Sequence, residues 1–220
     1  MKLVIGNKNY SSWSLRPWAL LRQAGIAFDE DKLSFLSPTF KRDVLARSPA
    51  GRVPILIDGE LTVWDSLAIA EYVAEKLPDK MLWPADRADR AHARSICAEM
   101  HSGFTSVRTY MPMNVTAQLP GRGWNVNVQK DIDRIAAIWT GLRAKHSAAG
   151  PFLFGRFGVV DAYYAPVVFR FNTYRPELPA AAREYVQQML QTVALREWVE
   201  AAAVENEWVP EDEPYRTKAR

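Results

Sequence analysis

A single cysteine, Cys97, excludes an internal disulfide, and without a C-x-x-C pair the chain has no means of enzymic disulfide exchange. No apolar run approaches the length of a bilayer crossing, so no membrane partner is expected. An excess of one charge is also missing. The 28 basic and 25 acidic residues are mixed along 220 positions, and the net +3 is too slight and dispersed for a nucleic-acid surface. Three histidines do not by themselves rule out a Ser-His-Asp hydrolase, but no G-x-S-x-G elbow exists to support one. Repeats and low-complexity tracts are absent, and no metal site is expected. Met1-Lys2 runs directly into strand-like Leu3-Val4-Ile5 without a signal-peptide stretch, so the expected location is cytoplasmic.

The composition is otherwise ordinary for a globular chain, 48% hydrophobic and 24% charged, with length enough for one large or two small domains. The first eighty residues alternate in type. Leu3-Val4-Ile5 reads as a strand, Leu15 to Ala24 as a helix, Ala27 to Leu33 as a strand and Phe40 to Arg47 as a short helix. A hairpin and another helix follow. The order β-α-β-α-β-β-α predicts an α/β domain with a mixed sheet over residues 1–79. The polar, proline-containing stretch from Lys76 to Lys80, with Trp83-Pro84 beyond it, suits a linker. Strand signals then fade. Val128, Ile132, Ile135, Ile138, Trp139 and Leu142 recur at helical spacing, Arg87 to Val107 and Ala180 to Leu190 are helix-like, and residues 86–220 are read as all-helical.

The most telling segment is residues 51–73, GRVPILIDGELTVWDSLAIAEYV. Ile55-Leu56-Ile57 is a short strand, Asp58-Gly59 a hairpin turn, and Asp65-Ser66 the start of a helix. Unpaired N–H groups at such a start attract a carboxylate. On spacing alone, a simple capped hairpin–helix accounts for the segment equally well. A V-P followed by D-S-x-A-I, however, resembles the glutathione site of the glutathione S-transferase superfamily. That resemblance implies a thioredoxin-like first domain and a cis Val53–Pro54 bond. It also implies that the backbone at Val53 pairs with the cysteinyl part of glutathione, and that Asp65 and Ser66 hold its γ-glutamyl end. Lys41 and Arg52 would flank that site and meet the glycyl carboxylate, or else be solvated charges.

Tyr10-Ser11-Ser12-Trp13-Ser14-Leu15-Arg16 precedes the first helix, where N–H groups and the helix dipole favour an anion. Serines there are usually caps. The segment nevertheless resembles the S-S-C-S-W-R stretch of zeta-class transferases, which implies that Ser11 stabilises the glutathione thiolate with Ser12 and Ser14 beside it. Lowering a thiol pKa by two units takes roughly 2.7 kcal/mol. One charge-assisted hydrogen bond supplies roughly 1.5–3 kcal/mol, and the dipole adds roughly 0.3–1 kcal/mol. Trp13 replaces the zeta cysteine, so zeta isomerase activity is not carried over.

The resemblance also places an acceptor pocket around His101, Arg108, Met111 and Trp124, with Trp13 at its mouth, although Met and aromatic residues at helical spacing are more often core. The segment from Phe154 to Ala162 resembles the family's buried helix start, with Gly158 in place of the capping Ser or Thr and Asp161 retained. Half of that capping box is missing, and the helix is expected to survive. Trp208 to Arg220 reads as a surface tail. The expectation is a glutathione transferase directing the thiolate at a small hydrophobic electrophile, dimeric as family members commonly are. Its alternatives are a glutathione-dependent isomerase or peroxidase, or a non-catalytic binding or regulatory protein on the same fold.

Overall fold

The computed structural model describes residues 1–216. Its first part is a four-stranded sheet in the order β2-β1-β3-β4, formed by β1 (Lys2–Ile5), β2 (Asp29–Lys32), β3 (Ile55–Asp58) and β4 (Leu61–Val63). β1 runs parallel to β2 and antiparallel to β3, and β3 is antiparallel to β4. Alternation along β1 decides what each face covers. Leu3 and Ile5, with Leu56 of β3, join the main core, while Val4 and Ile55 face the other way onto Val44. β2, with the sequence Asp-Glu-Asp-Lys, is a charged edge strand that discourages further strand pairing.

Three helices complete the expected order: α1 (Ser12–Gln23), α2 (Phe40–Leu45) and α3 (Ser66–Lys76). Ile69 and Val73 of α3 face the core as their spacing requires. Gly59 turns the β3–β4 hairpin at φ +62°.

The second part is helical: α4 (Arg87–Ser102), α5 (Thr105–Tyr110), α6 (Val126–His146), α7 (Val159–Tyr174), α8 (Ala180–Leu190) and α9 (Val193–Ala203). The single helix expected from Arg87 to Val107 is interrupted. Phe104 adopts a left-handed φ of +56°, and a Cβ on Gly103 would lie 2.7 Å from the Glu99 carbonyl oxygen. α7 is buried along nearly its whole length and packs against α1, which also meets α9. The loop before α1 therefore lies where the two parts join.

The start of α7 explains the glycine that breaks the family pattern. Asp161 Oδ2 accepts the Gly158 N–H at 3.0 Å, so the carboxylate half of the box is intact. The chain at Leu82 runs across the cap: its carbonyl accepts the Val159 N–H at 3.0 Å, and a Cβ on Gly158 would sit 2.6 Å from that oxygen. Completing the box with Gly158→Ser is thus expected to destabilise the protein, lowering Tm by about 5 °C for a clash of about 2 kcal/mol. A melt at or above the parent value would refute the steric explanation.

The terminal segment lies along the surface over most of its described length, with Trp208 exposed, but is pinned at several points. Val209 is buried, Tyr10 donates its hydroxyl to Glu213, and Glu205 accepts the N–H groups of Lys8 and Asn9. The last four residues of that expectation lie outside the described residues.

Candidate functional site

The loop between β1 and α1 is fixed from several directions. Asn7 accepts the Phe35 N–H and donates to Glu207, while Asn9 donates to Asn114 and accepts the Thr116 N–H. The serines that follow do not cap α1. Ser11, at the N-cap, makes no side-chain cap bond and donates its hydroxyl to Ser14 Oγ at 2.7 Å. Ser14 Oγ also accepts the Gly6 N–H at 3.1 Å. The Ser12 N–H is taken by the Tyr10 carbonyl at 2.8 Å, and no side chain caps the N–H groups of Trp13 and Ser14 that follow.

Two cavities open at this helix start. The first, about 560 Å³, is lined by Arg52, Val53, Pro54, Trp64, Asp65 and His101, with Trp13 as one wall. The Val53–Pro54 bond there is cis, as the family resemblance implied. The Trp64–Asp65 bond is also cis, which the sequence did not suggest. Asp65 Oδ1 caps α3 by accepting the Leu67 N–H at 2.8 Å, and its Oδ2 lies 3.5 Å from His101 Nε2. The second cavity, about 460 Å³, shares Trp13, Arg52 and Val53 and adds Ser11, Ser12, Arg108, Arg170 and Asp212.

Several expected residues sit elsewhere. Ser14 is fully buried, with its hydroxyl engaged by Ser11 and Gly6, so it is a brace under the loop and not a glutathione contact. Ser66 is buried and shares a hydrogen bond with the Tyr163 hydroxyl at 2.9 Å. Lys41 is exposed on α2 and lines neither cavity. Met111 is core, and only its carbonyl is used, accepting from Arg170 Nε at 2.9 Å. Trp124 is 60% exposed and bonds to Gln129, away from both cavities, so it roofs nothing. His101 lines the first cavity, and its Nδ1 is 3.0 Å from the Tyr163 hydroxyl.

Trp13 organises the charges. The Arg16 guanidinium lies 4.0 Å from its ring centroid and that of Arg108 4.9 Å, while His101 meets it edge-on at 5.1 Å. An indole where zeta enzymes have cysteine thus supplies a π face for two cations. Arg16 is 1% exposed, its three guanidinium nitrogens have no hydrogen-bond partner, and burial lowers its pKa to about 10. Burial lowers Arg170 to about 9 and raises the Asp212 carboxyl to about 6. Tyr10 is raised to about 12 by burial and then by its bond to Glu213, so its phenol stays protonated at neutral pH. Cys97 is buried and pushed well above the usual thiol range, which makes it inert packing.

Arg16, Arg170, Tyr163 and Asp212 were absent from the expected site. Arg170 carried the clearest signal, a charge inside the apolar run of α7, since arginine is almost never fully buried without a partner. Among the described residues no cluster of three or more His, Cys, Asp or Glu side chains is placed to hold a metal, and no helix is long and apolar enough to cross a membrane.

A mixed sheet with its cis-proline, followed by a helical bundle and a cavity at their junction, defines a thiol-binding transferase architecture. Residues 10–76 match the glutathione S-transferase N-terminal domain family, and residues 85–201 match the corresponding C-terminal domain family. The chain belongs to the glutathione S-transferase superfamily. It is 28% identical over 165 residues to the glutathione S-transferase GstB of Escherichia coli, covering 71% of this chain and 77% of the relative. A probable maleylacetoacetate isomerase of Caenorhabditis elegans is 28% identical over 171 residues, 76% of this chain and 78% of the relative. The fold superposes with TM-score 0.70 on a glutathione transferase homolog from Burkholderia gl BGR1 with bound glutathione, at 22% identity over 92% of this chain and 97% of the other.

Proposed function

We propose that this chain is a glutathione transferase in which Ser11, with Ser12 beside it, stabilises the thiolate of glutathione for attack on a small electrophile. The observation that carries this reading is the uncapped start of α1. Serine hydroxyls at a helix start without a side-chain cap border the second cavity, which shares Trp13, Arg52 and Val53 with the cavity holding the cis Val53–Pro54 bond and Asp65. In this reading the backbone at Val53 pairs with the cysteinyl part of glutathione, Asp65 takes its ammonium group and Arg52 its glycyl carboxylate. The sulfur forms a C–S bond with the acceptor while the leaving group departs with its electron pair. Ser11 turns its proton from Ser14 to the sulfur, exchanging a neutral hydrogen bond for a charge-assisted one.

Retention on immobilised glutathione tests the binding half. For the chemistry, Ser11→Ala is expected to raise the thiol pKa of bound glutathione by about one to two units, the equivalent of about 1.5–3 kcal/mol. Unchanged thiolate absorbance at neutral pH would remove Ser11 from the mechanism. The similarity to a probable maleylacetoacetate isomerase supports a second reading, in which the same thiolate adds reversibly and is released. Accumulated conjugate against recovered free glutathione separates the two. The same reading extends to a cytoplasmic homodimer that detoxifies electrophiles, and light scattering on the purified protein tests the dimer.

A further inference from the structure

The second cavity is walled by cations that lack counter-ions. Arg170 is 4% exposed; its Nε donates to the Met111 carbonyl, and its Nη1 is sealed from solvent without a partner. Arg108 donates from Nε to the Gly103 carbonyl at 3.0 Å and from Nη2 to the carbonyls of Met100 and His101. Neither guanidinium forms an ion pair among the described residues. Burying charges in this state is costly unless an anion arrives. Three arginines line the cavity. With Arg52 taken by the glycyl carboxylate, the glutathione thiolate brings one negative charge beside Arg108 and Arg170, and Arg16 adds a further cation behind Trp13.

One acid lines this cavity, Asp212, delivered by the terminal segment. Burial raises its carboxyl to about 6, so at neutral pH it is still mostly ionised and competes with an incoming carboxylate for the neighbouring Arg170. Tyr10, bonded to Glu213, ties the segment to the loop before α1.

Resting on the transferase reading above, we propose that the second cavity selects an electrophile bearing a carboxylate, held by Arg170 and Arg108, and that Asp212 sets how strongly it is held. This replaces the hydrophobic acceptor expected from sequence. For an aryl chloride carrying a carboxylate, the sulfur bonds to the ring carbon and chloride leaves with the C–Cl electron pair. The carboxylate itself is unchanged and serves only as the handle. A planar guanidinium suits it, since its paired N–H groups match two carboxylate oxygens.

The test uses the full-length protein and two product conjugates, S-(4-carboxy-2-nitrophenyl)glutathione and its 4-carboxamide analogue, titrated by calorimetry at neutral pH. The carboxylate conjugate is expected to bind at least tenfold more tightly. Arg170→Met should abolish that preference, and Asp212→Asn should increase it several-fold by removing the competing acid. Asp212→Asn leaves the Arg170 bond to Met111 intact, so it decides the matter if Arg170→Met melts early. Equal affinities for the two conjugates, with glutathione itself still bound, would overturn this proposal and leave the transferase reading standing. If neither glutathione nor either conjugate binds, the transferase reading fails and this one with it.

Discussion

Asp161→Ala is expected to cost about 3–5 kcal/mol, because one buried carboxylate satisfies three donors that would otherwise be orphaned. Its oxygens accept the Leu153 N–H at 3.1 Å, the Gly158 N–H at 3.0 Å and the Tyr185 hydroxyl at 2.9 Å. At about 2–4 °C per kcal/mol for a chain of this size, Tm should fall by about 10 °C. Asp161→Asn keeps an oxygen for Leu153 and Tyr185 but turns an amide toward the Gly158 N–H, so about half the loss is expected. The pH dependence has a definite sign. Burial raises the folded-state pKa from 3.8 to about 6, so the folded protein binds the extra proton and stability falls as pH rises through that window. Asp161→Asn should lack this slope. A melt of Asp161→Ala within 2 °C of the parent would show that the box does not hold the start of α7.

Arg16→Met is expected to separate stability from function. Arg16 is buried with no hydrogen-bond partner, so removing its charge removes a desolvation penalty. Against that stands the loss of its stacking on Trp13 at 4.0 Å and Tyr163 at 4.6 Å, worth about 1–2 kcal/mol at each ring. The fold should therefore be unchanged or up to about 2 kcal/mol more stable. Function should move the other way. The Coulomb interaction of two unit charges about 8 Å apart at an effective dielectric of about 20 is worth about 2 kcal/mol, which sets the scale expected of Arg16. Its removal should raise the thiol pKa of bound glutathione by about 1.5 units and lower kcat/KM below neutral pH by more than tenfold. Thermal melts and a pH titration of thiolate absorbance check both halves. A less stable variant with an unchanged thiol pKa would make Arg16 a packing residue only.

The fold was legible wherever local rules suffice. Alternation along Leu3-Val4-Ile5, the Asp58-Gly59 turn and the helical spacing of α6 each fix an element from its own residues. Val53, Pro54 and Asp65 fell in one cavity because the same hairpin–helix unit carries them, while Ser66 turned inward to Tyr163. Reading failed where three-dimensional packing, and not side-chain period, decided the outcome. The break at Gly103-Phe104 lies within a pattern that still looks helical. Ser14 differs from Ser11 only in being turned under the loop toward Gly6, which no spacing rule detects. Trp124 and Met111 had suitable chemistry but face solvent and core.

Sequence by itself therefore determined the order of strands and helices in the first eighty residues, the Asp58-Gly59 hairpin and the serine-rich start of α1, because turn chemistry and side-chain period act over a few residues. The cis bond at Pro54 followed from the family resemblance. Only the tertiary structure decided the charge of the second cavity. Arg108, Arg170 and Asp212 come from α5, α7 and the terminal segment, and they meet Trp13 because α7 packs on α1 and residues 205–213 return to the loop before it. Burial then turns ordinary side chains into unpaired cations beside an acid whose pKa is raised, since desolvation depends on what surrounds a group and not on its neighbours in sequence.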